Sequence, residues 1–257
     1  MDTMIRIATT LLFVLAIGYA GLCAALYFFQ RSLIYFPQPA AVRTPVVAVA
    51  NGVDGFQVVA SVRERAGPQA LIYFGGNAED VSPSLAPLAE AYPQHAIYLM
   101  HYRGYGGSGG SPSEAALTHD ALALFDQVHQ SHPQVTVMGR SLGSGVAVRL
   151  ASQRPVVQLV LVTPYDSLQE LAAAQFPIFP VRWMLKDKFE SGRHAAQVRA
   201  PTLLMAAELD EVIPRASTDQ LLARFATGQA VMHVLPRTSH NTISEHPLYW
   251  QLLNGRP

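Results

Sequence analysis

The chain has 257 residues with 18 basic and 18 acidic side chains, so its formal net charge at pH 7 is zero. This balance excludes the strongly basic surface that is typical of nucleic-acid-binding proteins. Cys23 is the only cysteine, which excludes an intrachain disulfide, and the nine histidines nowhere adopt zinc-ligand spacing with cysteine or glutamate. We therefore expect no nucleic-acid partner, no metal site and no cofactor.

The N-terminal apolar segment predicts a membrane anchor. Ile7–Phe29 contains no formal charge and is flanked by Arg6 and Arg31. It exceeds the ~20 residues that a helix needs to cross a bilayer. A cleaved signal peptide and a buried helix of a soluble protein are the alternatives, but the segment is longer than the apolar region of a usual signal peptide. Aromatic residues gather at its C-terminal end, as expected at a membrane boundary: Tyr27, Phe28, Phe29, Tyr35 and Phe36.

The sequence divides into three predicted parts. Residues 1–30 form the anchor, residues 31–43 an interfacial linker, and residues 44–257 one folded domain that is large enough for a single core. The charges on the two sides of the anchor are Arg6 against Arg31 and Arg43. Because this bias is so small, the positive-inside rule does not decide the orientation in the membrane.

The folded domain alternates apolar strands with helices. Most of the strands are continuous apolar runs, as expected for parallel strands that are covered on both faces. This alternation predicts an α/β fold with a mostly parallel sheet, helices on both faces and right-handed crossovers. The predicted strands are Phe56–Val62 (after the turn residues Asp54 and Gly55), Ala70–Phe74, Ala96–Met100, Val135–Met138, Leu159–Val162, Thr202–Met205 and Val231–Leu235.

Two helices have clear sequence signals. Residues 112–129 form the first, and we expect Ser111 to cap it, Pro112 to occupy its first position and Glu114 to complete a capping box. Pro247–Leu253 forms the closing helix of the domain.

The stretch Gly139-Arg140-Ser141-Leu142-Gly143 predicts a nucleophile elbow. It follows the apolar strand Val135–Met138 and opens an apolar helical stretch, which is the context that this motif requires. Side chains at the two glycine positions would clash with the neighbouring helix and strand. The serine is held in a strained conformation that exposes its hydroxyl above the sheet. Ser141 is therefore the predicted nucleophile.

A serine nucleophile needs a base, an orienting acid and an oxyanion site. Asp210 follows a predicted strand and His240 follows the last one, so the chain order Ser, Asp, His matches elbow-bearing enzymes. We expect the oxyanion site to use the backbone N–H of Leu142 and that of Asn77, in the loop after Ala70–Phe74. The less favoured acid is Glu208, which we expect to lie within the strand, and the less favoured bases are His233 and His246.

The glycine cluster Gly104–Gly109 raises a competing hypothesis, dinucleotide binding, since it fits the spacing G-x-G-x-x-G. The following helix begins only at Pro112, so the glycines do not lie at its N-terminus, where a pyrophosphate would bind. We therefore interpret the cluster as a flexible loop at the mouth of the pocket.

These motifs together resemble the α/β-hydrolases, and within them a membrane-anchored subfamily of serine hydrolases. That subfamily includes eukaryotic protein-depalmitoylating and lysophospholipid-cleaving enzymes and their bacterial relatives. The family often has His-Gly-Asn in the oxyanion loop, whereas Gly75 stands here in place of the histidine. The change retains the backbone donors but puts the rigidity of the loop in question. The matching stretches are Gln30–Pro37, Tyr102–Ser108, Ser111–Glu114, the elbow, Asp210 with Val212 and Pro214, and Ser239–Asn241.

The predicted function is a membrane-anchored serine hydrolase that cleaves acyl esters or thioesters through an acyl-enzyme. A catalytically silent binding module and a serine peptidase or amidase are the alternatives. The substrate is a small-molecule or lipid acyl group, or an acylated protein, and the segment Gln169–Arg199 is the usual place for a lid. The apolar residues of this lid suit an acyl chain or core packing equally. Asp166, Asp187 and Arg193 are interpreted as loop structure. We further expect a chain beginning near Arg43 to keep activity on water-soluble esters.

Overall fold

The computed structural model describes residues 1–49 and 55–255. Within these ranges one eight-stranded sheet has the order β1-β2-β4-β3-β5-β6-β7-β8. The pairs β1–β2 and β2–β4 are antiparallel, and all other neighbouring strands are parallel. The strands are β1 Val46–Ala48, β2 Val59–Arg63, β3 Gln69–Phe74, β4 Ala96–Met100, β5 Gln134–Arg140, β6 Gln158–Val162, β7 Thr202–Ala207 and β8 Ala230–Leu235.

Helices cover both faces of this sheet. Helices α3, α4, α7 and α8 contribute side chains to the larger core cluster on one face of the sheet. Helices α2 and α9 contribute side chains to the second cluster on the other face. The helices are α1 Asp2–Ile34, α2 Leu85–Ala91, α3 Glu114–Ser131, α4 Leu142–Ala151, α5 Leu168–Gln175, α6 Val181–Met184, α7 Ser191–Ala195, α8 Arg215–Arg224 and α9 Pro247–Leu253.

The central strand β3 shows why the strands are apolar throughout. Ala70, Ile72 and Phe74 pack into the larger cluster, whereas Leu71 and Tyr73 pack into the other. Successive side chains of a strand point to opposite faces, so a strand covered by helices on both faces has no polar side. The predicted α/β fold with a mostly parallel sheet is confirmed.

The first strands differ from the sequence prediction. The early strand begins at Val59 rather than Phe56, and the short edge strand β1 was not predicted. A three-residue edge strand gives no readable alternation in the sequence, because its position depends on pairing with β2. The predicted turn residue Asp54 lies outside the described residues.

The N-terminus of α3 corrects the predicted capping box. The helix begins at Glu114, and Ser113 caps it by accepting a hydrogen bond from the Ala116 N–H. The Glu114 carboxylate instead accepts a hydrogen bond of 2.6 Å from the backbone N–H of Lys188, in the lid. The predicted cap Ser111 and the predicted first helical residue Pro112 therefore both precede the helix, and Glu114 closes no capping box because its carboxylate is turned to Lys188.

The N-terminal helix α1 extends beyond the charge-free segment Ile7–Phe29 at both ends and continues to Ile34, into the predicted linker. Its most apolar window has a mean hydropathy of 2.2 and is not buried by the rest of the described chain. By length and composition this helix can cross a membrane. Its last turns pack against the lid, as described below.

Candidate active site

Ser141 lies in a strained turn between β5 and α4. Its backbone has φ 49° and ψ −118°, outside the conformations that a serine ordinarily adopts. A side chain on Gly139 would collide with the Gly143 carbonyl in the helix, and one on Gly143 with the Phe74 carbonyl in β3. The steric reason predicted for the two glycines is confirmed.

The three residues predicted to form a triad lie in one hydrogen-bonded chain. The His240 Nε2 atom is 3.0 Å from the Ser141 Oγ atom. On the other side of the ring, Nδ1 is 3.0 Å from both carboxylate oxygens of Asp210. Asp210 follows β7 and His240 follows β8, so the carboxyl ends of neighbouring parallel strands bring them to the elbow. The His240 and Asp210 side chains are each 7% exposed.

The environment of Asp210 keeps its carboxylate ionised. Burial alone would raise its pKa. The hydrogen bond from His240 and those from the backbone N–H groups of Ile213 and Val212 outweigh that effect, so the pKa of Asp210 lies below its ordinary value. An ionised carboxylate fixes the proton on His240 Nδ1 and leaves Nε2 free to accept one.

The less favoured candidates have structural roles. Glu208 lies beyond the end of β7, is exposed, and accepts a hydrogen bond from the N–H of Arg237, whose φ is 55°. The expectation that Glu208 lies within the strand is therefore wrong. The side chain of His246 caps α9 by accepting from the Leu248 N–H, and His233 lies within β8.

The two predicted oxyanion donors line the same cavity as Ser141. Leu142 is the first residue of α4, so its N–H has no partner within the helix. Asn77 is fixed by other atoms: its side chain donates to the Ile34 carbonyl at 2.8 Å, and its own carbonyl accepts from the Phe36 N–H and the Tyr105 hydroxyl. Among the described residues neither N–H has a protein acceptor.

The oxyanion loop is held by an ion pair that the sequence did not reveal. Glu79 accepts hydrogen bonds from the Gly76 N–H at 2.8 Å and the Tyr73 hydroxyl at 2.7 Å, and it pairs with Arg140 at 3.2 Å. Arg140 also reaches the carbonyl of His240. Arg140, the residue before Ser141 in the elbow motif, thus links the oxyanion loop to the loop that carries His240.

Gly75 is accommodated by the same packing. A Cβ atom at this position would lie 2.6 Å from Val81 Cγ1 and 3.1 Å from the Glu79 carboxylate carbon. The space that a histidine would need is therefore filled, and Glu79 holds the neighbouring Gly76 N–H by a hydrogen bond.

The glycine cluster at 104–109 is not the flexible pocket loop that we expected. A Cβ atom on Gly106 would collide with the His101 ring, and Ser108 bonds to the His101 carbonyl. Tyr105 donates its hydroxyl proton to the Asn77 carbonyl. These contacts make the cluster a fixed support behind the oxyanion loop, and no helix begins near enough to hold a pyrophosphate.

A cavity of about 620 Å³ adjoins Ser141. This volume lies within the range of ligand sites in proteins. Its walls are mostly apolar and come from α1, α5, α6 and the segment between α5 and α6; they include Leu26, Leu33, Leu168, Leu171, Phe179 and Met184. Within residues 1–49 and 55–255, no group of three His, Cys, Asp or Glu side chains lies together as a possible metal site.

The two aspartates and the arginine interpreted as loop structure do make structural contacts. Asp187 pairs with Arg31 of α1 at 2.9 Å. Asp166 is 3.7 Å from Arg224, and Arg193 pairs with Glu190 at 2.9 Å.

The chain is similar to proteins of several organisms. An uncharacterized protein of Mycobacterium tuberculosis (strain H37Rv) is 34% identical over 260 residues, covering 95% of this chain and 89% of that protein. Protein bem46 of Schizosaccharomyces pombe is 25% identical over 263 residues, covering 89% and 85%. Lysophosphatidylserine lipase ABHD12 of Xenopus tropicalis is 32% identical over 170 residues, covering 56% of this chain and 43% of that one. No family model matches the chain.

Solved structures share the fold. The Pyrococcus furiosus esterase Pf2001 superimposes with a TM-score of 0.68 at 17% identity, covering 85% of this chain and 96% of the esterase. Mouse alpha/beta hydrolase domain-containing protein 10 gives a TM-score of 0.64 at 16% identity, covering 82% and 96%. With its elbow, its sheet order and these relatives, the chain belongs to the α/β-hydrolase superfamily, among the relatives of bem46 and ABHD12.

Proposed function

We propose that this protein is a membrane-anchored serine hydrolase that cleaves acyl esters or thioesters. The observation that carries the proposal is the chain of hydrogen bonds from Asp210 through His240 to Ser141, at the edge of an apolar cavity. The similarity to a lysophosphatidylserine lipase supports ester hydrolysis.

In the proposed reaction, the Ser141 hydroxyl attacks the acyl carbonyl while His240 Nε2 accepts its proton. The N–H groups of Leu142 and Asn77 stabilise the negative oxygen of the tetrahedral intermediate, and Asp210 orients the imidazolium. His240 then protonates the departing alcohol or thiol, which leaves the acyl group on Ser141. Water releases the acid by the same steps, with His240 as the base.

Helix α1 is proposed to be an uncleaved, single-pass anchor. Its last turns contribute Leu26, Gln30 and Ile34 to the cavity at Ser141, so cleavage as a signal peptide would remove a wall of the site. Most of its apolar side chains are exposed, which disfavours a buried helix of a soluble protein. Carbonate-washed membranes should retain the full chain with Met1 in its N-terminal peptide. Recovery of a soluble form that begins after residue 20 would contradict the anchor.

Fluorophosphonate labelling tests the nucleophile. Ser141→Ala should abolish labelling and ester hydrolysis without lowering Tm, because a hydroxyl is removed and nothing is repacked. The control Ser152→Ala, at the C-terminal end of α4, should label like the wild type. Persistent labelling of Ser141→Ala would refute the assignment. His240→Ala should lose orders of magnitude in kcat, since triad members act as a unit.

The catalytically silent binding module is suggested by Gly75, the departure from the family's oxyanion loop, and the packing of Val81 and Glu79 against that glycine gives it a steric reason. It would be favoured only if the wild type neither labels nor hydrolyses short p-nitrophenyl esters. A panel of matched ester, thioester and amide substrates separates the proposed activity from that of a peptidase or amidase.

A further inference from the structure

One face of α1 is committed to the folded domain. Cys23, Leu26, Gln30 and Ile34 follow helical spacing and are buried or half-buried, whereas most of the remaining α1 side chains are exposed. One stripe of the anchor therefore packs against the folded domain, and its remaining surface is free to contact lipid.

Polar contacts fasten the end of this stripe to the lid. The Gln30 amide is buried; it accepts from the Lys186 N–H at 2.6 Å and donates to the Met184 carbonyl at 3.1 Å. Next to it, Asp187 accepts two hydrogen bonds from the Arg31 guanidinium and one from the Tyr35 hydroxyl. A satisfied buried amide beside an ion pair fixes the position of the helix relative to the lid.

The fastened helix forms one wall of the cavity at Ser141. At one end, the Ile34 carbonyl accepts from the Asn77 side chain in the oxyanion loop. Leu26 lines the cavity two turns away, about 12 Å along the helix axis. A zigzag carbon chain advances about 1.3 Å per bond, so roughly nine bonds, which join about ten carbons, span that distance. The mostly apolar wall that α1 contributes is therefore long enough for an acyl chain of about ten carbons.

The lid follows α1 well beyond the polar contacts. The Tyr19 hydroxyl donates to the Ile178 carbonyl at 2.7 Å, and the Tyr19 ring stacks on Phe179 at 5.9 Å between centroids. Tyr19 lies about 18 Å along the helix from Arg31, more than half of the ~30 Å hydrocarbon core. If Arg31 is at the headgroups, Ile178 and Phe179 of the lid lie at the depth of the acyl chains.

The contact between α1 and the lid becomes less polar from Arg31 towards Tyr19. Lys186 lies 4.0 Å over the Tyr27 ring, near the polar end, whereas the contacts at Tyr19 are with Ile178 and Phe179. Three large apolar side chains of this part of the lid are exposed: Phe176 is 47% exposed, Ile178 71% and Trp183 90%. The neighbouring charges of Arg182 and Glu170 neutralise each other in an ion pair of 2.6 Å.

We propose that residues 176–184 and α1 enter the same leaflet together, and that the cavity at Ser141 takes a long acyl chain directly from that leaflet. The acyl group belongs to a lysolipid or to an S-acylated protein, and its hydrolysis rests on the function proposed above. The expectation that a chain beginning near Arg43 keeps its activity does not fit this arrangement. That truncation removes the wall, the ion pair and the buried Tyr35.

Trp183 reports insertion without any need for catalysis. The full chain is reconstituted into phosphatidylcholine vesicles with brominated acyl chains, which quench tryptophan on contact. The contribution of Trp183 to the fluorescence is the difference between the wild type and Trp183→Phe. Brominated lipid should quench most of this contribution, and acrylamide dissolved in the water should quench little of it. Trp250, the only other tryptophan, belongs to the closing helix and provides the unquenched background. If acrylamide quenches Trp183 and brominated lipid does not, the lid lies in water and the proposal is overturned.

A larger side chain on α1 tests whether this helix forms a wall of the cavity, because it would narrow the cavity. Leu26→Trp should lower the ratio of kcat/KM for long-chain over short-chain p-nitrophenyl esters by about tenfold, since excluding two methylene groups suffices for that factor. Leu22→Trp, on the same helix but outside the cavity, should leave the ratio unchanged. An unchanged ratio in Leu26→Trp overturns the assignment of the wall.

Two vesicle-bound substrates identify the molecule that supplies the acyl chain. Turnover of a lysophospholipid or of an S-palmitoyl peptide on the same vesicles assigns the acyl group to a lipid or to a protein. Cleavage of short soluble esters with turnover of neither overturns entry from the leaflet. A wild type that does not label with fluorophosphonate defeats the proposed hydrolase, while Trp183 quenching still decides insertion.

Discussion

Glu79→Gln tests how the oxyanion loop is held. The Glu79 carboxylate joins the Gly76 N–H, the Tyr73 hydroxyl and the Arg140 guanidinium, and Arg140 continues to the His240 carbonyl. The substituted side chain has nearly the same shape and still accepts a hydrogen bond. It removes the charge opposite Arg140 and also replaces one acceptor oxygen with an NH2 donor. The cycle with Arg140 described below therefore separates the ion pair from the altered hydrogen bond.

The burial of the pair determines the expected magnitude. The Arg140 and Glu79 side chains are 20% and 12% exposed. Removing one partner of a buried pair costs about 3–5 kcal/mol, whereas exposed pairs contribute about 0–1 kcal/mol. We expect about 2–3 kcal/mol here, since some solvent reaches both groups. For a domain of this size that lowers Tm by about 4–12 °C. Displacing the oxyanion loop should also lower kcat by about tenfold to a hundredfold.

The assay compares full-length variants in detergent by thermal unfolding and by hydrolysis of a short-chain ester. Glu90→Gln, an exposed glutamate on α2, is the matched control and should change neither quantity. Arg140→Met and the double variant complete a cycle, in which the double variant should cost less than the sum of the two. If Glu79→Gln behaves like Glu90→Gln, or the two changes add, the ion pair does not hold the loop.

Three further predictions concern the elbow, a buried histidine and the contact of α1 with the lid. Gly143→Ala should destabilise the domain and abolish labelling, because its methyl group meets the backbone carbonyl of β3 and not a movable side chain. Burial lowers the pKa of His101, against the opposing effect of Asp80. Stability should therefore be complete above about pH 6.5 and fall as the pH drops towards the lower pKa of the folded state. Asp187→Asn should leave the Arg31 guanidinium without its counter-charge and make the lid more sensitive to protease.

Each of these has its own control. Gly21→Ala, where no atom lies within 4 Å of the added Cβ, should be neutral in the elbow comparison. His101→Gln should flatten the dependence of Tm on pH below about pH 6.5, and an unchanged slope would contradict the titration of this residue. Asp219→Asn removes an exposed partner of Arg215 and should leave proteolysis of the lid unchanged. Equal cleavage of the two aspartate variants would show that Asp187 does not hold the lid.

The sequence by itself determined the features that depend on local sterics and chain order. The role of Gly139 and Gly143 could be predicted because the tight turn of the elbow leaves no room for a side chain at either position. Asp210 and His240 were readable because parallel strands bring their carboxyl ends to one edge of the sheet. The buried strands were readable because helices on both faces leave no polar side.

The tertiary structure alone decided which distant side chains meet. Glu79 lies 61 positions from Arg140, and no local pattern links the two. The same holds for α1: hydropathy predicts a span, but nothing in a charge-free segment predicts that Gln30 fastens it to the lid 156 positions away. Glu114 was assigned to a local cap because the distant Lys188 N–H that it accepts from is invisible in the sequence. Such contacts depend on how the elements pack around the common core, which places α1 in the wall of the cavity at Ser141.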